Sequence, residues 1–352
     1  MDLEGIRKNI SRTDAEIIKL LNKRFELALK TKKFKSKISD DAREQDVLSA
    51  VKRNSQHLIK PEFTEKLYNE IIAESKKLQD KNLKLIGFQG EHGAYGELAV
   101  RAYDQSAAPI PCLEFAEVFE GVKTGELDLG VVPVENSLAG SVSVVNDLLV
   151  ETDLNVIGEI IVPIHHCLLA LPETDYRDVK VVYSHPQALA QCRGFITRNK
   201  LEPRPYYDTA GAALMLANDR LKAAAAIASK LCAELYELEV LKENIEDHES
   251  NATRFLVLSK DKAKEKGNKC SIVFSTQHKA GALFSVLKIF AEVDINLTRI
   301  ESRPVSDERN KFAFLLDFQG SDADKKVSDA LEKVKKEAAI FKLLGCYNEA
   351  KL

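Results

Sequence analysis

Apolar side chains recur at steps of three and four residues through the first part of the chain. The series runs through Leu3, Ile6, Ile10, Ile17, Leu20, Leu21, Leu27 and Phe34. This spacing predicts one long amphipathic helix that reaches about Lys37. A second helix is expected after residues 39–41, whose side chains can cap it, and a third from Pro61, because proline suits the first helical turn. Of the 16 glycines and 10 prolines, only one of each precedes residue 81, so the pattern predicts an all-helical domain over residues 1–80.

The pattern changes at residue 83 to short apolar runs separated by helical stretches. The runs cover residues 83–88, 129–134, 156–162, 179–183, 223–228 and 255–258. Continuous apolar runs of this length are typical of strands that are buried on both faces of a sheet. We therefore expect an α/β domain over residues 83–260.

A third pattern follows, in the order strand, helix, strand, strand, helix, strand. Its segments cover residues 270–276, 282–293, 296–302, 312–319, 322–337 and 340–347. This order is that of the split βαβ sandwich. The sequence therefore predicts an α+β domain over residues 268–349 and a multidomain protein overall.

Length and charge restrict the class of protein. A chain of 352 residues with 45% apolar and 30% charged residues should be a soluble globular protein of two or three domains. A formal net charge of -3 favours neither nucleic acid nor a membrane surface as a partner. Residues 1–5 lack the basic and apolar regions of an export signal, and no apolar run is long enough to span a bilayer, so we expect a cytoplasmic protein.

The six cysteines are scattered and include no Cys-x-x-Cys pair. They are Cys112, Cys167, Cys192, Cys232, Cys270 and Cys346. Each lies among apolar residues, so we interpret them as small buried side chains rather than as a disulfide or zinc framework. No metal and no other cofactor is expected.

Basic side chains gather on one face of the first predicted helix. Arg24 and Lys35 are eleven positions apart, which returns to within ~20° of the same face about 16 Å along the axis, so both could reach one small dianion. Arg7 lies about 25 Å from Arg24 and ~100° around the helix, so it could reach that dianion only from an antiparallel partner helix, which implies a dimer. Ser75 and Gln79 share a face of the third helix and can add neutral hydrogen bonds. The alternative is an ordinary solvated basic face.

Four loops of the α/β region follow predicted strands, where open α/β sheets bind ligands. They cover residues 87–96, 133–137, 183–188 and 207–213. The glycine-rich first loop opens a helix and could offer backbone N–H groups to an anion, but its glycine spacing is not that of a dinucleotide-binding motif. Turn and helix-capping chemistry is the alternative for each loop. His165 and His166 enter an apolar run, which predicts one buried, hydrogen-bonded histidine.

Residues 249–259 pass from polar side chains into a short apolar strand. A strand would hold Thr253 and Arg254 on a rigid edge, where the guanidinium could bind a carboxylate and the hydroxyl could donate a hydrogen bond beside it. A strand start with a solvated arginine is the alternative interpretation.

The Asn-Ala-Thr-Arg-Phe stretch at 251–255 resembles the Asn-x-Thr-Arg-Phe motif of prephenate dehydratases. The resemblance covers the whole α/β domain and implies two lobes, as in periplasmic binding proteins, formed by residues 83–163 with 250–260 and by residues 164–249. It places the ligand in the cleft between the lobes and makes Thr253 the catalytic residue, which donates a hydrogen bond or a proton to the departing hydroxyl. The substrate-binding positions that it implies are Asn136, Ser137, Ser184, His185, Gln187, Thr209, Arg254 and Phe255.

The helical domain resembles the all-helical chorismate mutases. The matching positions are Arg7, Arg24, Lys35, Asp40, Arg43, Glu44, Ser75 and Gln79. The reaction of that family is a pericyclic rearrangement, which needs a compact substrate conformation and positive charge near the breaking ether bond rather than a nucleophile. The resemblance implies that two arginines hold two carboxylates. It also implies that Lys35 and Gln79 contact the ether oxygen and that Glu44 orients the ring hydroxyl.

Two motifs of the α+β domain resemble those of ACT regulatory domains attached to prephenate dehydratases. They are Gly-Ala-Leu at 281–283 and Glu-Ser-Arg-Pro at 301–304. The resemblance implies an allosteric site for L-phenylalanine. Its residues would be Gly281, Ala282, Leu283, Asn296, Leu297, Glu301 and Ser302. A dimerisation domain without a ligand is the alternative.

Together the three domains resemble a bifunctional chorismate mutase/prephenate dehydratase over nearly the whole chain. The resemblance implies an enzyme that converts chorismate to prephenate and prephenate to phenylpyruvate, is inhibited by L-phenylalanine, and forms a homodimer or a higher homo-oligomer. One alternative is a non-catalytic, two-lobed amino-acid sensor fused to an ACT domain. Another is a dehydratase that prefers arogenate and carries a weak mutase.

Overall fold

The computed structural model describes residues 3–35, 37–277, 279–304 and 312–350. In it the chain folds into a helical module, two α/β lobes and a final α+β module, in that order. The predicted fold class is therefore confirmed.

Three helices form the first module: α1 (Leu3–Lys32), α2 (Asp41–Asn54) and α3 (Pro61–Asp80). Helix α1 ends at Lys32, so Lys35 lies in the connection beyond it, and the helical spacing assumed between Arg24 and Lys35 is wrong. Helix α2 begins as predicted, because the Asp40 carboxylate accepts a hydrogen bond from the Arg43 backbone N–H at 3.1 Å. No helix within the described residues is long and apolar enough to cross a membrane.

Lobe 1 is built on a mixed sheet whose last strand returns from much later in the chain. Its elements are β1 (Leu85–Gln89), α4 (Tyr95–Tyr103), β2 (Ala108–Cys112), α5 (Phe115–Thr124), β3 (Leu129–Asn136), β4 (Gly140–Ser141), α6 (Ser143–Glu151), β5 (Asn155–Pro163) and β11 (Ala252–Ser259). The strand order is β2-β1-β3-β11-β5, with β4 paired to β3. Strand β11 pairs with β3 on one side and with β5 on the other, antiparallel to both. It therefore lies inside the sheet rather than at an edge.

Lobe 2 lies between β5 and β11 in the chain. Its elements are β6 (Cys167–Ala170), a 3-10 helix (Tyr176–Asp178), β7 (Val181–Ser184), α7 (Pro186–Gln191), α8 (Arg193–Arg198), β8 (Glu202–Pro205), α9 (Thr209–Asp219), β9 (Ala224–Ala228), α10 (Lys230–Tyr236) and β10 (Glu239–Lys242). The strand order is β10-β6-β9-β7-β8.

The α+β module contains six elements in the predicted order. They are β12 (Lys269–Ser275), α11 (Ala282–Ala291), β13 (Leu297–Pro304), β14 (Phe312–Gln319), α12 (Lys325–Glu337) and β15 (Ile340–Tyr347), with strand order β13-β14-β12-β15. One face of this sheet packs on its own two helices, as Ile272 and Phe274 show. The other face packs on lobe 1, where Val273 and Tyr347 join a core that includes Leu256 of β11. Because side chains alternate along a strand, β12 is buried on both faces.

Cys270 and Cys346 form a disulfide, so the expectation of six free thiols is wrong. The two residues lie directly opposite each other on the paired strands β12 and β15, with their Cα atoms 4.2 Å apart. A separation of 76 residues concealed this pairing in the sequence. The other four cysteines are free and buried, as predicted.

Candidate active sites

Thr253 lies on β11 at the position paired with Asn136, the last residue of β3. The Thr253 Oγ1 accepts a hydrogen bond of 3.0 Å from the Asn136 amide, which also donates to the Asn251 side chain and the Ala252 carbonyl. The Asn136 Oδ1 accepts backbone N–H groups of the loop that follows, at 2.9 and 3.1 Å. These contacts fix which way the Asn136 amide points. Because Thr253 Oγ1 receives a hydrogen bond there, its own proton is free to donate elsewhere.

A chain of hydrogen bonds continues from Asn136 into lobe 2. Gln191, the last residue of α7, places Nε2 3.4 Å from Asn136 Oδ1 and Oε1 2.9 Å from His166 Nε2. Since Asn136 presents an oxygen, Gln191 must turn its NH₂ toward it and its oxygen toward His166, which assigns the His166 proton to Nε2. Burial lowers the pKa of His166, so the ring is neutral. Its Nδ1 lies 2.8 Å from the Tyr95 hydroxyl, which donates to the His165 carbonyl at the same distance. His166 is thus the predicted buried histidine, whereas Gln191 and Tyr95 were not predicted.

Asn251 is the residue of this cluster with an unused donor. It is 1% exposed, and its Oδ1 accepts the Asn136 amide at 2.8 Å. Within the described part of the chain, its Nδ2 is the one buried side-chain nitrogen or oxygen without a hydrogen-bond partner. A buried donor without a partner costs about 1 to 3 kcal/mol, so a local rearrangement that brought an acceptor to it would be favoured.

The other dehydratase candidates bind mainly to backbone and to neighbouring side chains. Ser184 donates to the Ile227 carbonyl, and Ser137 donates to the Ser250 carbonyl. His185 caps α7, because its side chain accepts the backbone N–H of Gln187. The Gln187 side chain is exposed. Thr209 contacts Asp208, and Asp208 caps α9. Helix capping does occur in these two loops, but the caps are His185 and Asp208 rather than the expected Ser184 and Thr209. The structure brings Asn136 to the Thr253 hydroxyl, and Ser137 accepts the backbone N–H of the adjacent Ala252 at 3.0 Å.

Arg254 does not lie with Thr253, which corrects the expectation that it binds a substrate carboxylate. Successive residues of a strand point to opposite faces, so Arg254 points away from Thr253 toward the α+β module. Its guanidinium contacts Glu159 and Asp317, each at 2.6 Å. Phe255 returns to the face of Thr253 but is 3% exposed and packs in the core shared by the two lobes, below the cleft.

The glycine-rich turn between β1 and α4 connects the lobes, and the backbone N–H groups of Glu91 and Gly93 donate to carboxylates of the protein itself. The Glu91 backbone N–H donates to Asp208 at 3.0 Å, and the Gly93 carbonyl accepts from Ser229 at 2.6 Å. Gly93 has φ 89°, and an added Cβ would lie 2.6 Å from the Cys232 sulfur. Glycine is therefore required both for the backbone conformation and for the close approach of lobe 2.

His92, in the same turn, connects lobe 1 to the helical module. Its Nδ1 lies 3.0 Å from Glu97, and its Nε2 lies 2.9 Å from Glu26 of α1. Burial lowers the pKa of His92, but the hydrogen bonds that its ring donates to both carboxylates outweigh this effect and raise the pKa to about 9. His92 is therefore protonated at neutral pH and bridges two anions.

Replacing Glu26 with glutamine should lower the melting temperature most at about pH 6 and by progressively less as the pH rises through about 9. The stabilisation from His92 is fully present below its ordinary pKa of 6.5 and is lost as the pH rises through about 9, because the folded-state pKa is the raised one. Thermal unfolding of wild type and Glu26→Gln across this range measures the effect. An equal difference in melting temperature at pH 7 and pH 10 would contradict it.

The mutase candidates fall into small groups in the helical module. Arg24 donates to Ser75 at 2.6 Å, so α1 and α3 bring these two together. Gln79 donates to the Ala28 carbonyl of α1. Lys35 lies 3.5 Å from Asp40, which accepts the Arg43 N–H, and Glu44 pairs with Lys76 at 2.6 Å. Arg7 is exposed on the first part of α1 and joins none of these contacts.

The Gly-Ala-Leu motif of the α+β module borders a cavity of about 170 Å³. Gly281 precedes α11 with φ 81°, and Ala282 and Leu283 line the cavity. The remaining lining residues are Thr276, Gln277, Lys279, Phe312 and Phe314. The candidates on and near β13, namely Asn296, Leu297, Glu301 and Ser302, are not among the residues described as lining it.

Comparison with known proteins agrees with this three-part arrangement. The chorismate mutase type II family model matches residues 6–80, the prephenate dehydratase model matches residues 86–263, and the ACT domain model matches residues 271–336. A bifunctional chorismate mutase/prephenate dehydratase of Aquifex aeolicus is 35% identical over 363 residues, which cover 100% of this chain and 99% of that one.

Two further relatives match the part of the chain after the helical module. Arogenate dehydratase 2 of Petunia hybrida is 39% identical over 74% of this chain and 71% of its own length. The crystal structure of a prephenate dehydratase from Arthrobacter aurescens in complex with L-Phe has a TM-score of 0.70 and 33% identity, over 76% of this chain and 90% of that one.

Fold and site therefore define a two-lobed dehydratase that carries a helical mutase and an ACT module. The chain belongs to the family of bifunctional chorismate mutase/prephenate dehydratases. Among the interpretations of the sequence, neither the non-catalytic sensor nor the weak-mutase arogenate dehydratase is favoured.

Proposed function

We propose that the chain rearranges chorismate to prephenate in its helical module and converts prephenate to phenylpyruvate in the cleft between its lobes, with Thr253 as the catalytic residue. The observation that carries the dehydratase assignment is the Thr253 hydroxyl, held by Asn136 with its proton free, beside the unused Asn251 donor. A hydroxyl that is held in place with its proton available suits a reaction in which an oxygen leaves with negative charge.

The dehydratase step breaks two bonds of prephenate together. The electron pair of the bond to the ring carboxylate moves into the ring as carbon dioxide departs, and the ring hydroxyl leaves with the electron pair of its C–O bond. Thr253 donates a hydrogen bond to that oxygen, which departs as hydroxide and becomes water by taking up one proton from the solvent. Aromatisation supplies the driving force, so the protein needs to orient the substrate and stabilise the leaving oxygen rather than form a covalent intermediate.

Purified protein supplied with chorismate should first form prephenate and then phenylpyruvate. Chromatography measures both products at chosen times. The absorbance of phenylpyruvate follows the second product continuously. Arogenate in place of prephenate tests the alternative substrate in the same experiment. Formation of neither product would contradict the proposed function, and faster turnover of arogenate would change the assigned substrate.

We further infer that the mutase acts as a homodimer. Helix α1 exposes large apolar side chains at Leu3, Ile6, Ile10 and Ile17, a spacing that forms one stripe of the helix. An antiparallel α1 from a second chain would cover this stripe and bring its Arg7 toward the Arg24 group.

The ACT module is proposed to bind L-phenylalanine and to inhibit the dehydratase. The supporting observation is the cavity beside Gly281, which offers the rings of Phe312 and Phe314 to an apolar side chain. The Arthrobacter relative was crystallised with L-Phe, which agrees with this ligand class.

Replacing Gly281 with valine should weaken L-phenylalanine binding by at least tenfold, because φ 81° is strained for a β-branched residue and the turn beside the cavity would shift. Gly125→Val is a matched control: Gly125 has φ 86°, and an added Cβ meets nothing within 4 Å at either glycine. Both variants should lose about 1 to 3 kcal/mol of stability. Calorimetry should show weakened binding only in Gly281→Val, and equal binding in the two variants would exclude this cavity as the site.

A further inference from the structure

A cluster of buried charges joins the catalytic strand to the ACT module. Arg254 of β11 is its centre: Nε contacts Glu159 at 2.6 Å, Nη1 contacts Asp317 at 2.6 Å and Glu135 at 3.1 Å, and Nη2 donates to the Tyr347 hydroxyl at 3.0 Å. Four of the five guanidinium N–H groups therefore have acceptors, from two strands of lobe 1 and two strands of the ACT module.

The cluster is satisfied on the ACT side as well. Ser271 donates to Asp317 at 2.6 Å and lies 2.6 Å from the Tyr347 hydroxyl, and Lys269 contacts Glu159 at 3.1 Å. Arg254 and Lys269 side chains are each 7% exposed, and Asp317 is 2% exposed. A buried planar guanidinium with four separate acceptors holds geometry more strictly than a surface ion pair does.

Strand β13 adds a second contact between the same two parts. Arg303 binds Asp147 of α6 through two nitrogens, at 2.6 and 2.8 Å, and Arg299 donates to Asn146 at 2.6 Å. Arg299 also lies 3.5 Å from Glu135, which connects this contact to the Arg254 cluster.

The register of β11 makes the position of Thr253 depend on Arg254. The ladder between β11 and β3 is irregular between Arg254 and Phe255, one residue beyond the pair formed by Thr253 and Asn136, whereas pairing with β5 is regular from Ala252 to Val257. The irregularity interrupts backbone pairing on the β3 side, so the Arg254 side chain adds to the anchoring of the strand there. Arg254 and Thr253 share a peptide bond, so a shift of one moves the other.

We propose that Arg254 is a positioning residue that couples the ACT module to Thr253, so that a change in the ACT sheet alters the hydroxyl on the opposite face of β11. The coupling rests on the proposed dehydratase function and on the proposed inhibition by L-phenylalanine. It assigns the arginine of the Asn-x-Thr-Arg-Phe stretch to communication between modules rather than to substrate binding.

The test compares Arg254→Lys, which keeps the charge but loses the planar fork, with a matched pair of serine variants in the intact protein. Ser271→Ala removes the cluster contacts, whereas Ser275→Ala removes an equally buried hydroxyl four residues along β12, about 13 Å away. Arg254→Lys should lower the dehydratase kcat at least tenfold with KM for prephenate within threefold and the mutase rate unchanged. Ser271→Ala should act in the same direction more weakly, and Ser275→Ala should have no effect.

Hydrogen exchange keeps the test independent of turnover and of the ligand. Amides of residues 252–259 should exchange at least tenfold faster in Arg254→Lys than in wild type, with those of β9 as the internal reference. Unchanged exchange in Arg254→Lys would overturn the proposed positioning role, whether or not the wild-type protein has dehydratase activity. A wild-type protein without dehydratase activity would by itself refute only the proposed function. A raised KM in Arg254→Lys, with kcat and hydrogen exchange unchanged, would instead indicate that Arg254 contributes to substrate binding.

Binding of L-phenylalanine and inhibition by it provide the third test of the coupling. Calorimetry should show that Ser271→Ala binds it as wild type does, while its dehydratase is inhibited less strongly. Undiminished inhibition in both Ser271→Ala and Arg254→Lys would overturn the coupling. Absence of binding to wild type would refute the proposed inhibition alone, and the exchange measurement would still decide whether Arg254 positions the strand.

Discussion

Replacing Thr253 with valine should lower the dehydratase turnover number by about 100- to 10,000-fold, while chorismate is still converted to prephenate at the wild-type rate. Valine keeps the shape of the side chain, so the buried strand is not disturbed. Asn136 keeps its other two acceptors, Asn251 and the Ala252 carbonyl, so the variant leaves no new buried donor without a partner. Prephenate should therefore accumulate when the variant is supplied with chorismate.

Thr253→Ser is the matched control for the hydroxyl. Serine keeps the donor and loses only the methyl group that restricts its rotamer, so it should retain a substantial part of the activity. Steady-state kinetics on prephenate separates the two variants. Equal losses in valine and serine, or a parallel loss of mutase activity, would mean that Thr253 acts through packing rather than through its hydroxyl.

Replacing Lys35 with alanine should lower the mutase rate by on the order of 100-fold or more, because it removes positive charge that stabilises the breaking ether bond. Lys35 lies beyond α1 and contacts Asp40 at 3.5 Å, so loss of the ammonium should not unfold the module. Lys37→Ala, two residues further along the same connection, removes an exposed lysine and should leave the rate unchanged.

The measurement is the disappearance of chorismate, followed in the full chain. Dehydratase kinetics on added prephenate should be the same in wild type, Lys35→Ala and Lys37→Ala, which controls for folding. Full mutase activity in Lys35→Ala would show that the basic group responsible lies elsewhere, and the Arg24–Ser75 contact would be the next candidate.

Hydrophobic periodicity was sufficient to predict the three-part fold. Buried strands such as β9 and β12 carry continuous apolar or small residues, and the order of elements in the ACT module follows from that pattern alone. Strand β8 could not be found this way, because it reads Glu-Pro-Arg-Pro and is exposed throughout. The disulfide between Cys270 and Cys346 depends on register between distant strands, which no local pattern contains.

The candidate site was predicted in part. Thr253 and Asn136 stand at strand ends, where ligands bind in α/β sheets, and the structure brings them into contact. Gln191 ends a short helix in lobe 2, and no local pattern in the sequence indicates that its side chain reaches Asn136 in lobe 1. The error on Arg254 was avoidable, since the two-residue period of a strand already separates adjacent side chains onto opposite faces.

The central placement of β11 has a consequence for how the protein is made. Ala252 follows Pro163 by 89 residues, so at about 5 to 20 residues per second the ribosome needs roughly 5 to 20 seconds to deliver the strand that fits between β3 and β5. Until then two apolar strand edges are without a partner, whereas lobe 2 already has all its strands. The nascent chain is therefore most prone to aggregation in the interval between the two halves of lobe 1, and a product truncated before residue 252 would keep that exposed gap permanently.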